Sequence, residues 1–481
     1  MTAFRNYIDG EWMPASGGGL SDNLNPSDTR DIVGRFAASQ AQDAQAAVDA
    51  AARAFPAWSA MPIGKRAQMI QKAADWLDAN AASIAQELTR EMGKPLPLAK
   101  DEIARTAQTL RFYAIEAQTF GGETFPQDDP AMVVYTQREP LGVVTVISPW
   151  NFPASIPARK IAPALATGNT VVFKPSSDAP LTGLRLVEAL VAGGVPKGVI
   201  NFVTGKPSNV ADALIASPHV RAVTFTGSTA AGEQIHRAAG MTTRTQMELG
   251  GKNPLLVMED ADLDLAADLT IKGGLSLTGQ ACTGTSRVLV AAGVRDAYVA
   301  KLVERIKALK IGNAMQPGID LGPLATARQF DTVLSYVALG RSEAHHVHGG
   351  EAMRRDGLEY GYFVEPAVFT EVPARSRIAQ EEIFGPVIAV IDCTDFADAM
   401  AKANDTGYGL SASICTRNSK YAHEFCRSIQ AGTVKVNRTT TGNLVNAPFG
   451  GYKRSSGSGF RESGRTGLEF FLQTKTVYRA F

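Results

Sequence analysis

The stretch from Gly142 to Pro175 decides the fold of this chain. It holds an apolar run, GVVTVISPW (142–150), a helical segment, SIPARKIAPALAT (155–167), and a second apolar run, GNTVVFKP (168–175). Both runs are short, rich in β-branched residues and bounded by Gly or Pro, which is typical of buried strands. Continuous apolar strands separated by helices indicate a parallel sheet that is covered on both faces. The stretch therefore predicts α/β architecture.

The same alternation continues along the chain. Ahead of the stretch, residues 43–61 and 64–93 are alanine-rich and have the periodicity of amphipathic helices. After it, two groups of short apolar runs alternate with helical segments: GVINFVTG (198–205) and RAVTFTG (221–227), then SRVLVAAG (286–293), FVEPAVFTEV (363–372), GPVIAVIDC (385–393) and LSASICT (410–416). The sequence therefore predicts two doubly wound α/β domains with a boundary near residue 250.

Composition excludes several classes of protein. The chain has 481 residues, of which 45% are hydrophobic and 20% charged, and its formal net charge is +1. A balanced charge gives no attraction to nucleic acid or to an anionic membrane surface, so we expect neither partner. The sequence shows no secretory signal and no apolar run of about 18 residues, the length that predicts a membrane span. We expect a cytoplasmic protein.

Cysteine and histidine spacings predict neither disulfides nor a metal site. None of the four cysteines belongs to a C-x-x-C pair, and the six histidines follow no metal-ligand spacing. We therefore expect no bound metal.

A glycine turn follows one of the predicted strands. In VTFTGSTAAGEQIHRAA (223–239), Gly227 and Gly232 lie between a strand and a helix. Such a turn lets backbone N–H groups approach a pyrophosphate at the positive end of the helix. The spacing differs from G-x-G-x-x-G, so a tight turn that only packs the helix is an equal alternative.

Glu248, in ELGGKNP (248–254), has two candidate functions. It lies about 20 residues past Gly227, where an acid often binds the cofactor ribose in dinucleotide folds. It could instead be a general base near a reactive centre. A solvated carboxylate at the end of a strand is the third alternative.

Two more polar side chains follow predicted strands, and a third lies on the helix between them. Asn151, in PWNFP (149–153), could donate its amide to an oxyanion, and Lys174, in FKPSSDAP (173–180), could hold a ribose or phosphate. Arg159 lies on the helix between them. Each of these residues could equally belong to a turn or a solvated surface.

Cys282 lies in TGQACTGTSR (278–287), among small and hydroxyl-bearing residues. Cysteine is usually a buried small hydrophobe, but these neighbours fill a core poorly and let backbone amides approach a bound group. A small residue at a tight strand entry and a nucleophile are both compatible with the pattern.

Taken together, the motifs resemble the aldehyde dehydrogenase superfamily over nearly the whole chain. Their order carries the resemblance: PWNFP, FKPSSDAP, FTGSTAAG, MELGGKN, GQACTGTSR, QEEIFGPV and NAPFGGYKRSSGSG. The resemblance implies NAD(P)-dependent oxidation of an aldehyde to a carboxylic acid. A cysteine-dependent thiol hydrolase or acyltransferase is the alternative from another class, and it would need a histidine partner for Cys282.

The resemblance also implies roles for individual residues. Cys282 would be the nucleophile, Glu248 the general base, and Asn151 an oxyanion donor beside the backbone N–H of Cys282. The presence of Glu248 favours hydrolysis of the thioester over transfer to coenzyme A. Residues expected to bind the cofactor are Ser148, Pro149, Trp150, Lys174, Ser177, Gly227, Ser228, Gly232, Leu249, Glu382 and Phe384. Residues expected to bind the substrate are Phe152, Arg159, Gln280 and Phe449.

Cofactor preference depends on Ser177, three residues after Lys174. Many NAD-using members have a glutamate there, which binds the ribose hydroxyls and would repel a 2′-phosphate. Serine does not repel it, so we expect NADP or NAD to be accepted.

The substrate prediction depends on Arg159 and Ser276. Arg159 is similar to an arginine that grips the substrate carboxylate in succinate-semialdehyde dehydrogenases, but the second arginine of those enzymes is replaced by Ser276. Other stretches are most similar to 2-oxoglutarate semialdehyde (2,5-dioxopentanoate) dehydrogenases. We therefore predict that semialdehyde as substrate, with succinate semialdehyde or a broad range of aldehydes as alternatives.

The expected domain division follows the same resemblance. Residues 1–120 and 141–250 would form the dinucleotide-binding domain, and residues 251–440 the catalytic domain. Residues 121–140 and 460–481 would form a small β oligomerisation arm. We expect a homodimer or homotetramer.

Overall fold

The structure is a computed structural model that describes residues 3–457 and 459–480. The predicted segments 1–120 and 460–481 include Met1, Thr2 and Phe481, which lie outside the described residues, as does Ser458. In the described ranges, no helix is long and apolar enough to cross a lipid bilayer.

Helices and strands alternate along most of the chain. The described ranges contain fifteen α-helices: α1 (Ala41–Ser59), α2 (Ile63–Ala79), α3 (Ala81–Met92), α4 (Leu96–Glu116), α5 (Ser155–Ala166), α6 (Pro180–Ala192), α7 (Pro207–Ile215), α8 (Thr229–Ala238), α9 (Leu263–Thr270), α10 (Arg295–Lys307), α11 (Ala327–Glu343), α12 (Arg377–Gln380), α13 (Phe396–Asn404), α14 (Ser419–Ser428) and α15 (Thr466–Glu469).

Twenty-three strands occur in the same described ranges. They are β1 (Ala3–Phe4), β2 (Asn6–Ile8), β3 (Glu11–Met13), β4 (Leu20–Asn25), β5 (Asp28–Ala37), β6 (Thr124–Phe125), β7 (Met132–Pro140), β8 (Val143–Ile147), β9 (Thr170–Lys174), β10 (Ile200–Phe202), β11 (Val220–Thr226), β12 (Arg244–Glu248), β13 (Asn253–Val257), β14 (Thr285–Ala291), β15 (His345–His348), β16 (Ala367–Thr370), β17 (Val387–Cys393), β18 (Tyr408–Gly409), β19 (Ser411–Cys415), β20 (Thr433–Val436), β21 (Tyr452–Lys453), β22 (Ser456–Gly457) and β23 (Leu472–Ala480).

The first large sheet has eight strands in the order β22-β12-β11-β8-β9-β10-β2-β3. Its five central strands, β12 to β10, are parallel, and the chain reverses at both edges through antiparallel β22 and β2. Successive residues of β8 face opposite sides: Val144 and Val146 belong to one core cluster and Val143 to another. Helices therefore cover both faces of the sheet, which is why β8 is a continuous apolar run.

The second large sheet has seven strands in the order β15-β16-β17-β14-β13-β19-β20, parallel except for the edge strand β15. The same alternation recurs here, because Leu256 and Leu289 face one core cluster while Leu255 and Val288 face the other. Two doubly wound α/β domains are therefore present, as the sequence predicts.

A small β arm accompanies the two large sheets. Strand β23 pairs antiparallel with β7 along its whole length, from Leu472 opposite Pro140 to Ala480 opposite Met132. Strand β6 pairs with the other edge of β7, so the order is β23-β7-β6. The tail, which the sequence predicts to pair with another subunit, is thus paired on one edge within its own chain. Two smaller sheets, β1-β5-β4 and β18-β21, complete the fold.

We propose the same domain division as the sequence analysis, with boundaries after residues 120, 140 and 250. It is supported by the strand membership of the sheets, since the first is built mainly from residues 6–13 and 143–248 and the second from residues 253–436. Strand β22 is an addition to it, because Ser456 and Gly457 extend the first sheet from beyond the second.

Candidate active site

The two large sheets face one cleft. The first sheet contributes the carboxyl ends of its strands, and the second contributes the loops that lead into its strands. Strands β8, β11 and β12 end at the same level, since Ile147 pairs with Phe225 and Thr226 with Glu248. The second sheet meets them through the loops that precede β14 and β17. Cys282 lies on the first of these loops. We call the wall formed by the ends of β8, β11 and β12 the binding side of the cleft, and the wall formed by the loops before β14 and β17 the loop side.

Asn151 connects the two sides. Its Nδ2 donates a hydrogen bond to the carbonyl oxygen of Gln280 (3.0 Å), two residues before Cys282, and its Oδ1 accepts from the backbone N–H of Phe152 (3.1 Å). The side chain is buried, with only 2% of the residue exposed. An amide nitrogen has two N–H groups, and Gln280 uses one of them. The other is available for a ligand near Cys282.

Gln280 faces the protein. Its Nε2 donates to the carbonyl oxygens of Leu277 (3.1 Å) and Pro323 (3.3 Å), and its Oε1 accepts from the backbone N–H of Ala325 (2.9 Å). These bonds engage both ends of the buried amide. We therefore propose that Gln280 shapes the loop of Cys282, in place of the substrate contact that the resemblance implies.

The loop of Cys282 is held by a residue that the sequence analysis missed. Asn253, at the start of β13, donates through Nδ2 to the carbonyl oxygens of both Cys282 and Gly284 (2.9 Å each). Gly251 allows this close approach, because a Cβ there would lie 2.6 Å from the carbonyl oxygen of Cys282. The available signal in the sequence was an asparagine two residues after the glycine pair Gly250-Gly251.

The surroundings of Cys282 favour its neutral thiol. Burial is the main cause that raises its pKa to about 12; the charges of Glu382 and Glu248 act in the same direction, and Arg159 opposes them. These groups are therefore the electrostatic neighbours of the sulfur. A thiol of this kind reacts after a base removes its proton.

Glu248 has one free carboxylate oxygen. Its Oε2 accepts from the hydroxyl of Ser456 (3.0 Å), whereas its Oε1 is buried and has no hydrogen-bond partner among the described residues. Burial and the charge of Glu462 raise the pKa of Glu248 well above its ordinary value. A Cβ at Gly450 would lie 2.9 Å from Oε1, so only glycine lets the backbone approach this oxygen so closely. A carboxylate with a raised pKa and a free oxygen can accept a proton from water or from a thiol.

A buried ion pair that the sequence analysis missed lies behind Glu248. The Nζ of Lys160 is 2.7 Å from a carboxylate oxygen of Glu462 and donates to the hydroxyl of Thr224 (2.9 Å). Lys160 lowers the pKa of Glu248 and so opposes the effect of Glu462. A lysine within the apolar helix segment SIPARKIAPALAT was the available signal, because a charge on a buried helix face needs a partner.

Arg159 precedes Lys160 on the same helix, α5. Its guanidinium is 4.0 Å from Glu462 and stands 5.9 Å from the centre of the Phe449 ring, and its side chain is 21% exposed. Phe152 is partly buried against the core of the first domain. Of the predicted substrate residues, Arg159 alone offers an accessible charge.

Lys174 and Ser148 lie together where β8 and β9 end. The backbone N–H of Ser148 donates to the carbonyl oxygen of Lys174 (3.3 Å), while the buried Ser148 hydroxyl has no hydrogen-bond partner among the described residues. The ammonium of Lys174 donates to the carbonyl of Pro175 (3.1 Å), and burial lowers its pKa to about 8. Ser177 donates to the carbonyl oxygen of Gly205 (3.0 Å). Pro149 follows Ser148 and is partly exposed.

The glycine turn after β11 has two different parts. Ser228 caps helix α8 by accepting from the backbone N–H of Ala231, and Gly227 precedes it at the end of the strand. Gly232 instead packs the helix, because a Cβ there would lie 2.4 Å from the side chain of Leu249. The backbone N–H of Gly227 donates to the carbonyl oxygen of Glu248 (3.1 Å), which leaves Ser228 and the first turn of α8 as the candidate donors for an anion. We propose a packing role for Gly232 and Leu249.

Glu382 and Phe384 reach the cleft from the loop ahead of β17. Glu382 accepts from the backbone N–H of Gly251 (2.9 Å), and burial raises its pKa to about 7. The ring of Phe384 meets that of Trp150 edge to face, with 5.4 Å between the centroids. The φ of Phe384 is +57°, a left-handed conformation, and Gln329 holds it by donating to the carbonyls of residues 383 and 384.

These residues fit a dinucleotide. The buried unpaired hydroxyl of Ser148, the weakly bonded ammonium of Lys174 and the capped start of α8 lie along one edge of the sheet, as a pyrophosphate and ribose require. The carboxylate of Glu382 lies at the other end, beside Cys282. The arrangement spans the cleft from the expected adenosine end to the nucleophile.

Metal ligands are grouped nowhere in residues 3–457 and 459–480, where no three His, Cys, Asp or Glu side chains could hold a metal ion. All four cysteines are free thiols. The groups that act on the pKa of Cys282 are carboxylates and Arg159.

Comparisons with known proteins cover the whole chain. The model of the aldehyde dehydrogenase family matches residues 12–477. Alpha-ketoglutaric semialdehyde dehydrogenase of Bacillus subtilis is 44% identical over 99% of this chain and 98% of its own length. Betaine aldehyde dehydrogenase from Staphylococcus aureus, solved with NAD+, matches with a TM-score of 0.96 and 34% identity over 99% of this chain and 95% of that one.

A third match is a solved 3,6-anhydro-L-galactose dehydrogenase in complex with NADP, with a TM-score of 0.96 and 33% identity over 99% of this chain and all of that one. The family match and these full-length similarities confirm the predicted NAD(P)-dependent aldehyde dehydrogenase. The chain belongs to the aldehyde dehydrogenase family.

Proposed function

We propose that this enzyme oxidises a carboxylate-bearing semialdehyde, 2-oxoglutarate semialdehyde, to the dicarboxylic acid through a thioester on Cys282. One observation carries the proposal: the amide of Asn151 is bonded to the loop of Cys282 and keeps a second N–H free beside it. Glu248 and Arg159 are electrostatic neighbours of the same thiol. Nucleophile, oxyanion donor, base and anion anchor thus share one cleft.

The first step forms a carbon–sulfur bond. Glu248 accepts the thiol proton, for which its raised pKa suits it, and the thiolate of Cys282 adds to the aldehyde carbon. The carbonyl oxygen becomes an oxyanion, which the free N–H of Asn151 stabilises. Asn151 is fixed before the reaction, so no side chain has to reorganise as the charge develops.

The second half converts the adduct to the acid. When bound, a nicotinamide would supply the oxidation as the hydride acceptor, and the product on Cys282 would be a thioester. Once Glu248 has released the thiol proton to solvent, it removes a proton from water, whose oxygen attacks the thioester; the acid leaves, and the proton passes to the Cys282 thiolate. The unpaired Oε1 of Glu248 suits contact with this water.

The substrate assignment rests on Arg159 and on the named relatives. Arg159 presents a partly exposed guanidinium, and a planar guanidinium pairs with a carboxylate through two parallel hydrogen bonds. The hydroxyl of Ser276 donates to the carbonyl of Lys272 (2.7 Å), so that position supplies no second cation. One anchor with no second arginine favours the 2-oxo acid over succinate semialdehyde, in agreement with the name of the B. subtilis relative.

The cofactor site favours NADP with NAD as an alternative. Ser177 faces Gly205, and the exposed Lys206 follows directly, at the start of α7. A neutral hydroxyl beside a lysine suits a 2′-phosphate, where a carboxylate would repel it.

Assembly and location complete the proposal. Strand β23 lies at the edge of the β arm, and an edge strand pairs readily with another chain, so we propose a homodimer or homotetramer built through it. Four free cysteines suit a reducing compartment, which supports the cytoplasm.

A panel of aldehydes tests this function. Wild type and Arg159→Ala are assayed with 2-oxoglutarate semialdehyde, succinate semialdehyde and an uncharged aldehyde of equal length, with each cofactor. We expect Arg159→Ala to raise KM about 10- to 100-fold for the charged aldehydes only, because a hydrogen bond to a charged group is lost. Arg159→Lys serves as the matched control and should lose less. An equal loss on the uncharged aldehyde would exclude Arg159 as the anchor.

A further inference from the structure

A buried ion pair outside the catalytic residues holds the Asn151 loop. Lys94 lies in the turn between α3 and α4, and Glu102 lies on α4. Their side chains are 0% and 1% exposed, and the ammonium of Lys94 is bonded to the carboxylate of Glu102. The proposed reaction uses neither residue directly.

Both members of the pair bond the backbone around Asn151. The Nζ of Lys94 donates to the carbonyl oxygen of Asn151 (2.8 Å) and lies 4.3 Å from the centre of the Phe152 ring. The Oε1 of Glu102 accepts from the backbone N–H groups of Ala154 (2.9 Å) and Ser155 (3.1 Å), at the start of α5. The pair thus fixes the backbone from Asn151 to the start of α5.

The same turn also packs against the support of the Cys282 loop. Gly93 has φ +84°, and a Cβ there would lie 2.5 Å from the side chain of Pro323. The carbonyls of Gly322 and Pro323 accept from Thr278 (2.8 Å) and Gln280 (3.3 Å), just ahead of Cys282. The turn before α4 therefore contacts both halves of the proposed oxyanion site.

We propose that Lys94 and Glu102 are positioning residues that aim the Asn151 amide at the oxygen of the Cys282 adduct. The inference rests on the proposed role of Asn151 as oxyanion donor. Stability alone does not account for the pair, because apolar residues of similar volume usually replace a buried ion pair at little cost. Orientation does account for it, since the backbone groups it bonds are the carbonyl of Asn151 itself and the N–H groups of Ala154 and Ser155 that follow.

The test uses a neutralised pair. Lys94→Met alone leaves the charge of Glu102 buried and unpaired and can unfold the chain, so it is combined with Glu102→Gln, whose amide oxygen still accepts from Ala154 and Ser155. Glu91→Gln is the matched control: Glu91 is also a buried carboxylate that caps a helix, accepting from the N–H groups of Leu181 and Thr182.

Four quantities are measured on each purified variant: the midpoint of thermal unfolding, the first-turnover rate of reduced cofactor formation, KM for the cofactor, and the alkylation rate of Cys282 by iodoacetamide. For the double variant we expect the first-turnover rate to fall about 10- to 100-fold, as a small misplacement of a catalytic group does. Alkylation, cofactor KM and the unfolding midpoint should stay near wild type. Glu91→Gln should keep the wild-type first-turnover rate at saturating cofactor.

The same double substitution is then made in Asn151→Ala. If the pair acts through Asn151, the double substitution should lower the first-turnover rate of Asn151→Ala by less than about a further twofold. The reason is that the effects of residues that act as one unit are not additive. A wild-type first-turnover rate in the folded double variant, or an undiminished loss in the Asn151→Ala background, overturns the inference alone. A wild-type rate in Asn151→Ala itself would instead remove the proposed oxyanion role, and the inference with it.

Discussion

The two sheets build their sides of the cleft in different ways. The eight-stranded sheet supplies Asn151 and Glu248 from the ends of regular parallel strands, where the polypeptide leaves the sheet. The seven-stranded sheet supplies Cys282 from a loop that enters a strand. In that loop Leu277 and Thr278 have φ values of +57° and +54°, a left-handed conformation that non-glycine residues rarely adopt. The binding side is regular, and the loop side is strained.

The difference shows which side of the cleft carries backbone strain that its surroundings must offset. Each left-handed non-glycine residue costs about 1–2 kcal/mol, so the surroundings must compensate for it. On the loop side, side-chain amides do so: the buried Gln280 and Asn253 hold the loop of Cys282, and the half-buried Gln329 holds that of Phe384. We therefore expect substitutions on the loop side to act through backbone position, and those on the binding side through direct contact.

The largest expected effect is that of Cys282→Ala. Without the thiol no adduct forms, so aldehyde-dependent reduction of the cofactor should fall about 10⁴-fold or more, as loss of a nucleophile does. The absorbance of the reduced cofactor measures it. Cys426→Ala removes an exposed cysteine and is the control. Comparable activity in Cys282→Ala and Cys426→Ala would place the chemistry elsewhere.

Glu248→Gln tests the binding side next. Without Glu248 the thiol of Cys282 can still lose its proton slowly to solvent before the aldehyde is added, whereas hydrolysis of the thioester still needs a base to activate the water. We expect steady-state turnover to fall about 10²- to 10⁴-fold, the usual contribution of a general base, with a burst of reduced cofactor in the first turnover. Rapid mixing resolves the burst, and its absence together with a normal steady state would assign the base to another residue.

The pH dependence of the wild type and of Glu248→Gln tests the same role of Glu248. Glu248 acts as a base only when ionised, and its pKa is raised well above that of an ordinary carboxylic acid. Wild-type turnover should therefore rise with pH along a limb displaced upward from the ordinary carboxyl range and be lost below it. Glu248→Gln should lack this limb. A limb that persists unchanged in Glu248→Gln would belong to a different group.

Ser177→Glu tests the cofactor end of the binding side. A carboxylate near the 2′-phosphate repels it, and at an effective dielectric constant near 20 two unit charges about 4 Å apart interact by about 4 kcal/mol before screening. We expect kcat/KM with NADP to fall about 100-fold and that with NAD to fall little or to rise. Ser177→Ala separates the loss of the hydroxyl from the gain of charge. Equal losses with both cofactors would mean that Ser177 does not face the phosphate.

The sequence could predict the regular side because local pattern determines it. The βαβ stretch 142–175 indicates where strands end. Because the ends of parallel strands share one edge of a sheet, the proximity of Asn151, Lys174 and Glu248 could be predicted. The resemblance supplied their expected roles.

The strained side and the long-range contacts could not be predicted in this way. Leu277 and Thr278 carry no sign of a left-handed backbone, because glycine is the residue that usually marks it. Glu462 lies far along the chain from Lys160, and no periodicity connects them. The register of β23 against β7 could not be predicted for the same reason, since the whole second sheet lies between the two strands in sequence.

The smallest expected effect is that of Gln329→Ala, which tests whether the amide clamps are needed. Gln329 lies on α11 and donates to the carbonyls of Ile383 (2.8 Å) and Phe384 (2.9 Å). Its removal should lower the free energy of unfolding by about 1–2 kcal/mol, the net worth of two hydrogen bonds. Because Phe384 then leaves its left-handed conformation more easily, KM for the cofactor should rise several-fold while the alkylation rate of Cys282 stays constant. Gln316→Ala, outside the cleft, is the control for an ordinary glutamine. If Gln329→Ala lowered stability without changing KM, the clamp would serve the fold alone, and the strain at Phe384 would be unrelated to cofactor binding.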